Sequence, residues 1–233
     1  MDNTILKVRD LVVSFGDEKI IENVSFNVKQ KAFLTILGPN GSGKTVLLKT
    51  LLGLITPTSG TVAWKDDTKI GYLPQGLTPL KLKGMPMSIE EFLLLKKINP
   101  SQMDDLLAKV DIKDTNILTK KIDTLSGGQF QKILMAWSLA KNPDILLFDE
   151  PTTGIDVGGE KTIYDLLFKL QKEQGLTVIM ITHDFNIVYK YSTDVLCISK
   201  NKSCHATSPD MLSSEKLEEV YGMPINFYKH HHH

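Results

Sequence analysis

The run Gly38-Pro39-Asn40-Gly41-Ser42-Gly43-Lys44-Thr45, "GPNGSGKT", has the residue types and spacing of a loop that holds phosphate. Its glycines let backbone N–H groups converge on an anion. It stands between an apolar run, "FLTIL", and a helical one, "KTVLLKTLLGL", in which Val46 follows directly. Lys44 is expected to reach the β- and γ-phosphates of a nucleotide, and Thr45 to ligate Mg²⁺. A bare glycine-rich turn is the competing reading, and the strand and helix flanks argue against it. A second apolar run, "ILLFDEP", ends in two carboxylates. Asp149 would hold the Mg²⁺ shell and Glu150 would polarise the attacking water. Taken alone, the pair could be a solvated strand end, but phosphoryl transfer needs a metal-holding acid and a base.

Three further residues have two readings each. His183 follows "VIMIT" and could contact the γ-phosphate or the water, or be structural. Gln75 carries no charge and could serve Mg²⁺ or water only as a neutral ligand. Phe15, before Gly16, offers a π-face to adenine or is an apolar strand residue. Then comes "LSGGQ": Ser126, Gly127, Gly128 and Gln129 open the helical run "QKILMAWSLA". Such a start presents unsatisfied N–H groups to an anion. One chain thus carries two phosphate-binding helix starts.

The elements that must position these residues follow from periodicity. Residues 5–36 alternate apolar and polar and predict short antiparallel strands, with turns near Gly16-Asp17 and Lys29-Gln30. "GTVAWKD" and "KIGYLPQ" are further strands. "SIEEFLLLKKI" and "SQMDDLLAKV" predict helices, each opening on a serine N-cap. "DILLFDE" and "TVIMITHD" suit buried parallel strands with chemistry at their C-terminal ends, joined through the helix "GGEKTIYDLLFKLQKEQG". The fold class is α/β: a phosphate-loop core with an antiparallel β subdomain, interrupted by a helical insert. The core is placed at 1–79 and 141–205, the insert at 80–140 and a tail at 206–229. The histidines at 230–233 resemble a tag remnant.

Composition narrows the classes. The chain has 233 residues and zero formal net charge, and Arg9 is its one arginine, so no nucleic-acid partner is expected. No apolar run reaches membrane-spanning length and the N-terminus lacks a signal-peptide core, which predicts a cytoplasmic location. Cys197 and Cys204 are too few for a disulfide framework. With His205 they lack the four ligands of a structural zinc site.

In their order, the aromatic before Gly16, the phosphate loop, Gln75, "LSGGQ", "ILLFDEP", "TTGID" and "THD" resemble the ATP-binding subunit of ABC transporters along the tag-free chain. "MPMSIEEFLLL", "EPTTGIDVGGEKTIYDLL" and "CHATSPDMLSSEKLEEVYG" look like the ATPases of bacterial zinc, manganese or iron importers. The resemblance implies a RecA-like ATPase core whose helical insert, 80–140, is the α-helical signature subdomain, with ATP and Mg²⁺ as cofactors and a head-to-tail dimer. ATP would lie between one copy's phosphate loop and the other's signature. It also implies membrane permease partners, an extracytoplasmic solute-binding protein, and a peripheral place on the inner face of the membrane. Met85, Met87, Phe92 and Leu93 would line a groove for the permease, or else fill the subdomain's own core. Departures from the family pattern fall at Lys132 and at Trp137-Ser138, where arginines are usual. Another solute, export, or a soluble ABC ATPase acting on DNA or ribosomes are the alternatives. The single cassette, neutral charge and about 80 residues from Thr45 to Leu125 argue against the last.

Overall fold

The computed structural model describes residues 3–77, 84–150, 157–199, 203–211 and 214–221. The loop "TTGID", the end of the tail and the tag remnant lie outside them. The chain divides into two compact units, Met1–Lys65 with Ile181–His233, and Asp66–Met180.

In the first unit, β1 (Thr4–Phe15) and β2 (Glu18–Lys29) form an antiparallel ribbon turning at Gly16-Asp17, and β4 (Ser59–Trp64) pairs on the other side of β1. The two ribbon strands run 12 residues each, longer than the short strands predicted. Ile21, Val24, Phe26 and Val28 are buried on β2 while polar neighbours face out, as one buried sheet face demands. Glycine stands where β4 passes the register shift between Arg9 and Val12 of β1. A Cβ on Gly60, at φ +86°, would lie 2.4 Å from the Asp10 carbonyl oxygen.

The expected antiparallel series ends before β3 (Phe33–Leu37), which instead pairs in parallel with β8 (Asp194–Ile198). The reason is compositional. "FLTIL" is buried at all five positions, which suits a strand covered on both faces, whereas β1 and β2 alternate. Antiparallel β9 (Ser203–Ala206) flanks β8, with Cys204 opposite Cys197. Helices α1 (Lys44–Leu51), α6 (Phe185–Tyr191) and α7 (Ser214–Tyr221) complete this unit. Leu37, Val188, Val195, Leu217 and Val220 form a shared core with Cys197.

In the second unit, β5 (Ile70–Leu73) pairs in parallel with β6 (Ile145–Asp149), and β7 (Thr177–Ile181) follows β6 in the strand order. Helices α2 (Ile89–Leu94), α3 (Met103–Lys109), α4 (Gly127–Leu139) and α5 (Val157–Gln174) belong here. Ser88 caps α2 as read, in a reciprocal box with Glu91. Ser101 does not cap the next helix. Asn99 caps a single 3₁₀ turn, Pro100–Gln102, and α3 starts only at Met103. Proline after an Asx residue sets that turn before the apolar period begins.

The apolar segment before α3 is divided. Leu93 is fully buried, so it belongs to the core, while Met85, Leu94 and Leu95 are exposed. Phe92 stacks on Trp137 with ring centroids 5.8 Å apart, and Lys96 Nζ lies 3.7 Å from the Trp137 ring centre. The unusual tryptophan therefore has an aromatic and a cationic neighbour in place of an arginine's charge.

Candidate functional site

The first unit carries the phosphate loop. β3 ends at Leu37, and Gly38 to Gly43 turn the chain into α1, whose N-cap Gly43 sits at φ 92°. That cap offers no side-chain acceptor and the first turn holds no acid, so the N–H groups there are left for an anion. Lys44 is buried, and its Nζ donates to the Gly38 and Pro39 carbonyls at 2.9 Å each. The amine thus clasps the loop around itself. Ser42 Oγ is buried without a hydrogen-bond partner, and a Cβ on Gly41 would meet nothing within 4 Å. An unsatisfied buried hydroxyl beside open backbone fits a phosphate oxygen as its acceptor. Asn40 is exposed, while Pro39, Thr45 and Val46 are half-buried.

Two other predicted residues lie in this unit. Phe15 is the last residue of β1, as the strand reading has it, and at 54% exposure its ring is also accessible. His183 is exposed just after β7, and Asp184 caps α6 by accepting the Asn186 N–H at 2.8 Å.

The second unit joins Gln75 to one of the two carboxylates, Glu150. Asp149 ends β6, buried at 2% exposure, near enough to raise the Tyr72 phenol's pKa after burial has already done so. Glu150 takes a left-handed backbone, φ 48°, which ends the strand there. Its Oε2 accepts the Gln75 Nε2 hydrogen bond at 2.6 Å. That contact links the second residue after β5 to the first residue after β6, strands that are neighbours by the parallel register of Leu73 with Phe148.

The signature opens α4. Ser126 is its N-cap in a reciprocal box: Gln129 N–H donates to Ser126 Oγ at 3.3 Å, and Ser126 N–H to Gln129 Oε1 at 3.2 Å. Because Ser126 Oγ acts as acceptor there, its own O–H proton can still be donated elsewhere. A Cβ on Gly128 would meet nothing within 4 Å. Gly128, Gln129 and Lys132 help line a cavity of about 340 Å³, with Asp111, Lys113 and Lys120 across it.

The family model described as ABC transporter matches residues 21–153, more than half of the chain. The chain belongs to the ABC transporter family. A zinc import ATP-binding protein, ZnuC, of Rickettsia conorii is 36% identical over 236 residues, covering 100% of this chain and 98% of that one. Among solved structures, a chain of an inward-facing ABC transporter provisionally typed as metal-chelate superposes with TM-score 0.84 at 26% identity. It covers 95% of this chain and 90% of that one. The dimeric structure of a bacterial ABC transporter cassette gives TM-score 0.71 at 27% identity, covering 87% and 98%. As an ABC ATPase, the chain uses ATP and couples its hydrolysis to transport. Among the described residues no helix is long and apolar enough to cross a membrane.

One residue at the phosphate loop had no signal in the motif. Tyr221, at the end of α7, accepts the Gly38 N–H at 3.1 Å. Residues 183 positions apart leave no local pattern to read.

Proposed function

We propose that this ABC ATPase powers import of a transition metal ion, zinc or manganese, through membrane permease subunits fed by an extracytoplasmic solute-binding protein. The near full-length similarity to the R. conorii zinc import ATP-binding protein carries this reading. Two copies would meet head to tail, so that Ser126, Gly127, Gly128 and Gln129 serve the ATP held by the partner. A γ-phosphate carries more charge than one helix start can surround, and a second start adds donors and a favourable dipole. The protein would act on the inner face of the membrane.

The residue roles follow their chemistry. Gly38 to Val46 cradle the phosphates, with Lys44 as the positive charge, and Phe15 offers its exposed face to adenine. Thr45, Gln75 and Asp149 supply the hard oxygen donors that Mg²⁺ requires. When bound, Mg²⁺ neutralises charge on the phosphates. Gln75 gives its amide N–H to Glu150, which leaves its carbonyl oxygen for a cation or water. Glu150 takes a proton from the attacking water, and His183 contacts that water or the γ-phosphate. The exposed Met85, Leu94 and Leu95 form the permease-facing part of the apolar segment.

Deleting the subunit is expected to starve cells of one such metal. Reconstituted complex should hydrolyse ATP faster when metal-loaded binding protein is added, while the isolated ATPase shows no response to Zn²⁺ beyond substitution for Mg²⁺. Unchanged metal content together with failed uptake of an amino acid, sugar or peptide would overturn the metal assignment.

A further inference from the structure

Tyr221 ties the last described helix to the first residue of the phosphate loop. Its phenolic oxygen accepts the Gly38 N–H at 3.1 Å, and the Gly38 carbonyl accepts Lys44 Nζ at 2.9 Å. One peptide unit on each side of Gly38 is therefore pinned, by the tyrosine before it and the lysine after it. Sterics close the remaining freedom. A Cβ at Gly38 would lie 2.0 Å from the Ile198 carbonyl oxygen and 2.7 Å from Ser42 Oγ.

The tyrosine is itself held. Its ring meets Phe185, the first residue of α6, with centroids 5.6 Å apart, and both border the core that includes Leu217 and Val220. Phe185 stands two residues after His183. Burial pushes the phenol up to about 12, against the pull of the Gly38 N–H, so the hydroxyl stays neutral at physiological pH and remains a constant acceptor. A loop N–H that donates to a tyrosine is committed to loop shape. The other loop donors are then presented in a fixed arrangement.

We infer that Tyr221 is a positioning residue for nucleotide: through Gly38 it sets the shape of the phosphate loop, which makes ATP affinity depend on α7. The inference rests on the reading of Gly38–Thr45 as the ATP phosphate site. It concerns affinity more than the chemical step, because Tyr221 bonds the loop's backbone and is itself none of the residues assigned to the attacking water.

Tyr221→Phe in the full chain removes the hydroxyl and keeps the ring against Phe185. Three readouts apply: equilibrium ADP binding without hydrolysis, the KM and kcat for ATP, and hydrogen exchange of the Gly38 amide. Losing one such bond predicts about 3- to 10-fold weaker ADP binding and a matching rise in KM. The kcat should stay near wild type, the melting temperature should fall less than in Tyr221→Ala, and Gly38 exchange should quicken. Tyr221→Ala should weaken binding at least as much and also lower the melting temperature. Wild-type affinity and exchange in Tyr221→Phe would overturn the inference, even if Tyr221→Ala is impaired. So would a loss of stability in Tyr221→Phe with unchanged ADP affinity, which marks a structural role alone. Lys44→Ala separates the underlying reading: if it binds and hydrolyses ATP normally, the phosphate site is misassigned, whatever Gly38 exchange shows.

Discussion

The side-chain amide of Gln75 donates to the carboxylate of Glu150 across 2.6 Å, although 75 residues of chain separate them. The contact places the base assigned to water activation in the grip of a neutral residue from the neighbouring strand end. A carboxylate held this way gains a defined direction. Glu150→Gln is expected to retain nucleotide and lower hydrolysis by about 10²–10⁴-fold, the range for a positioned general base. Phosphate release measured beside nucleotide binding checks it. Release near the wild-type rate would remove Glu150 from the role.

A trans arrangement of the signature predicts rescue between two defective chains. In a purified mixed dimer of Ser126→Arg and Lys44→Ala, one site carries both lesions and the other carries neither. ATP-dependent dimerisation or hydrolysis should exceed that of either mutant homodimer. Ser126→Ala serves as the control for folding, because loss of the N-cap costs about 1 kcal/mol of stability by itself. A mixed dimer no better than the homodimers, with both chains folded, would count against the shared site.

At Gly38 even one methyl group has no place, because its carbon would overlap the Ile198 carbonyl oxygen at 2.0 Å. The obstacle is backbone, which cannot swing aside like a side chain. Gly38→Ala should therefore lower stability by about 1–3 kcal/mol, as overpacking does, and weaken nucleotide binding with it. Gly41→Ala tests the contrast: it meets open space but sits at φ +77°, so its cost is backbone strain without collision. Thermal melts of the two variants with and without ADP compare them.

His205 supplies a pH dependence. Burial lowers its pKa below 6.5, with Asp194 at 3.9 Å pulling the other way. The unfolded chain then binds more protons than the folded one as pH falls through the ordinary histidine value. Stability contributed by the neutral imidazole is present above about pH 6.5 and is lost through the lowered folded value, below which the loss is complete. His205→Gln should flatten this part of the melting-temperature profile between pH 7.5 and 5. A profile parallel to wild type would show that His205 titrates alike in both states.

Features confined to a few consecutive residues were legible in the sequence. The phosphate loop lies between a strand and a helix, and the serine boxes at Ser88 and Ser126 need only a partner three residues on. β3 was misread as continuing the antiparallel series because its partner, β8, lies far along the chain, and only tertiary pairing could place it. Ser101 was misread as a cap because Asn99-Pro100 makes its own turn first. Leu93 and Leu94 are chemically identical neighbours, yet one is buried and the other exposed, a difference of helix phase over a six-residue helix too short to fix from pattern. The Gln75–Glu150 and Gly38–Tyr221 bonds have no local signature at all.

The clasp on Lys44 also makes the loop readable by covalent labelling. Lys49, five positions on, is exposed and should acylate freely with an amine-directed reagent, whereas the Lys44 amine lies buried between two carbonyls. A protonated amine donating to acceptors is a poor nucleophile, so its modification must wait for the loop to open. The rate of acylation at Lys44, set against the rate at Lys49, would time how often the cradle comes apart.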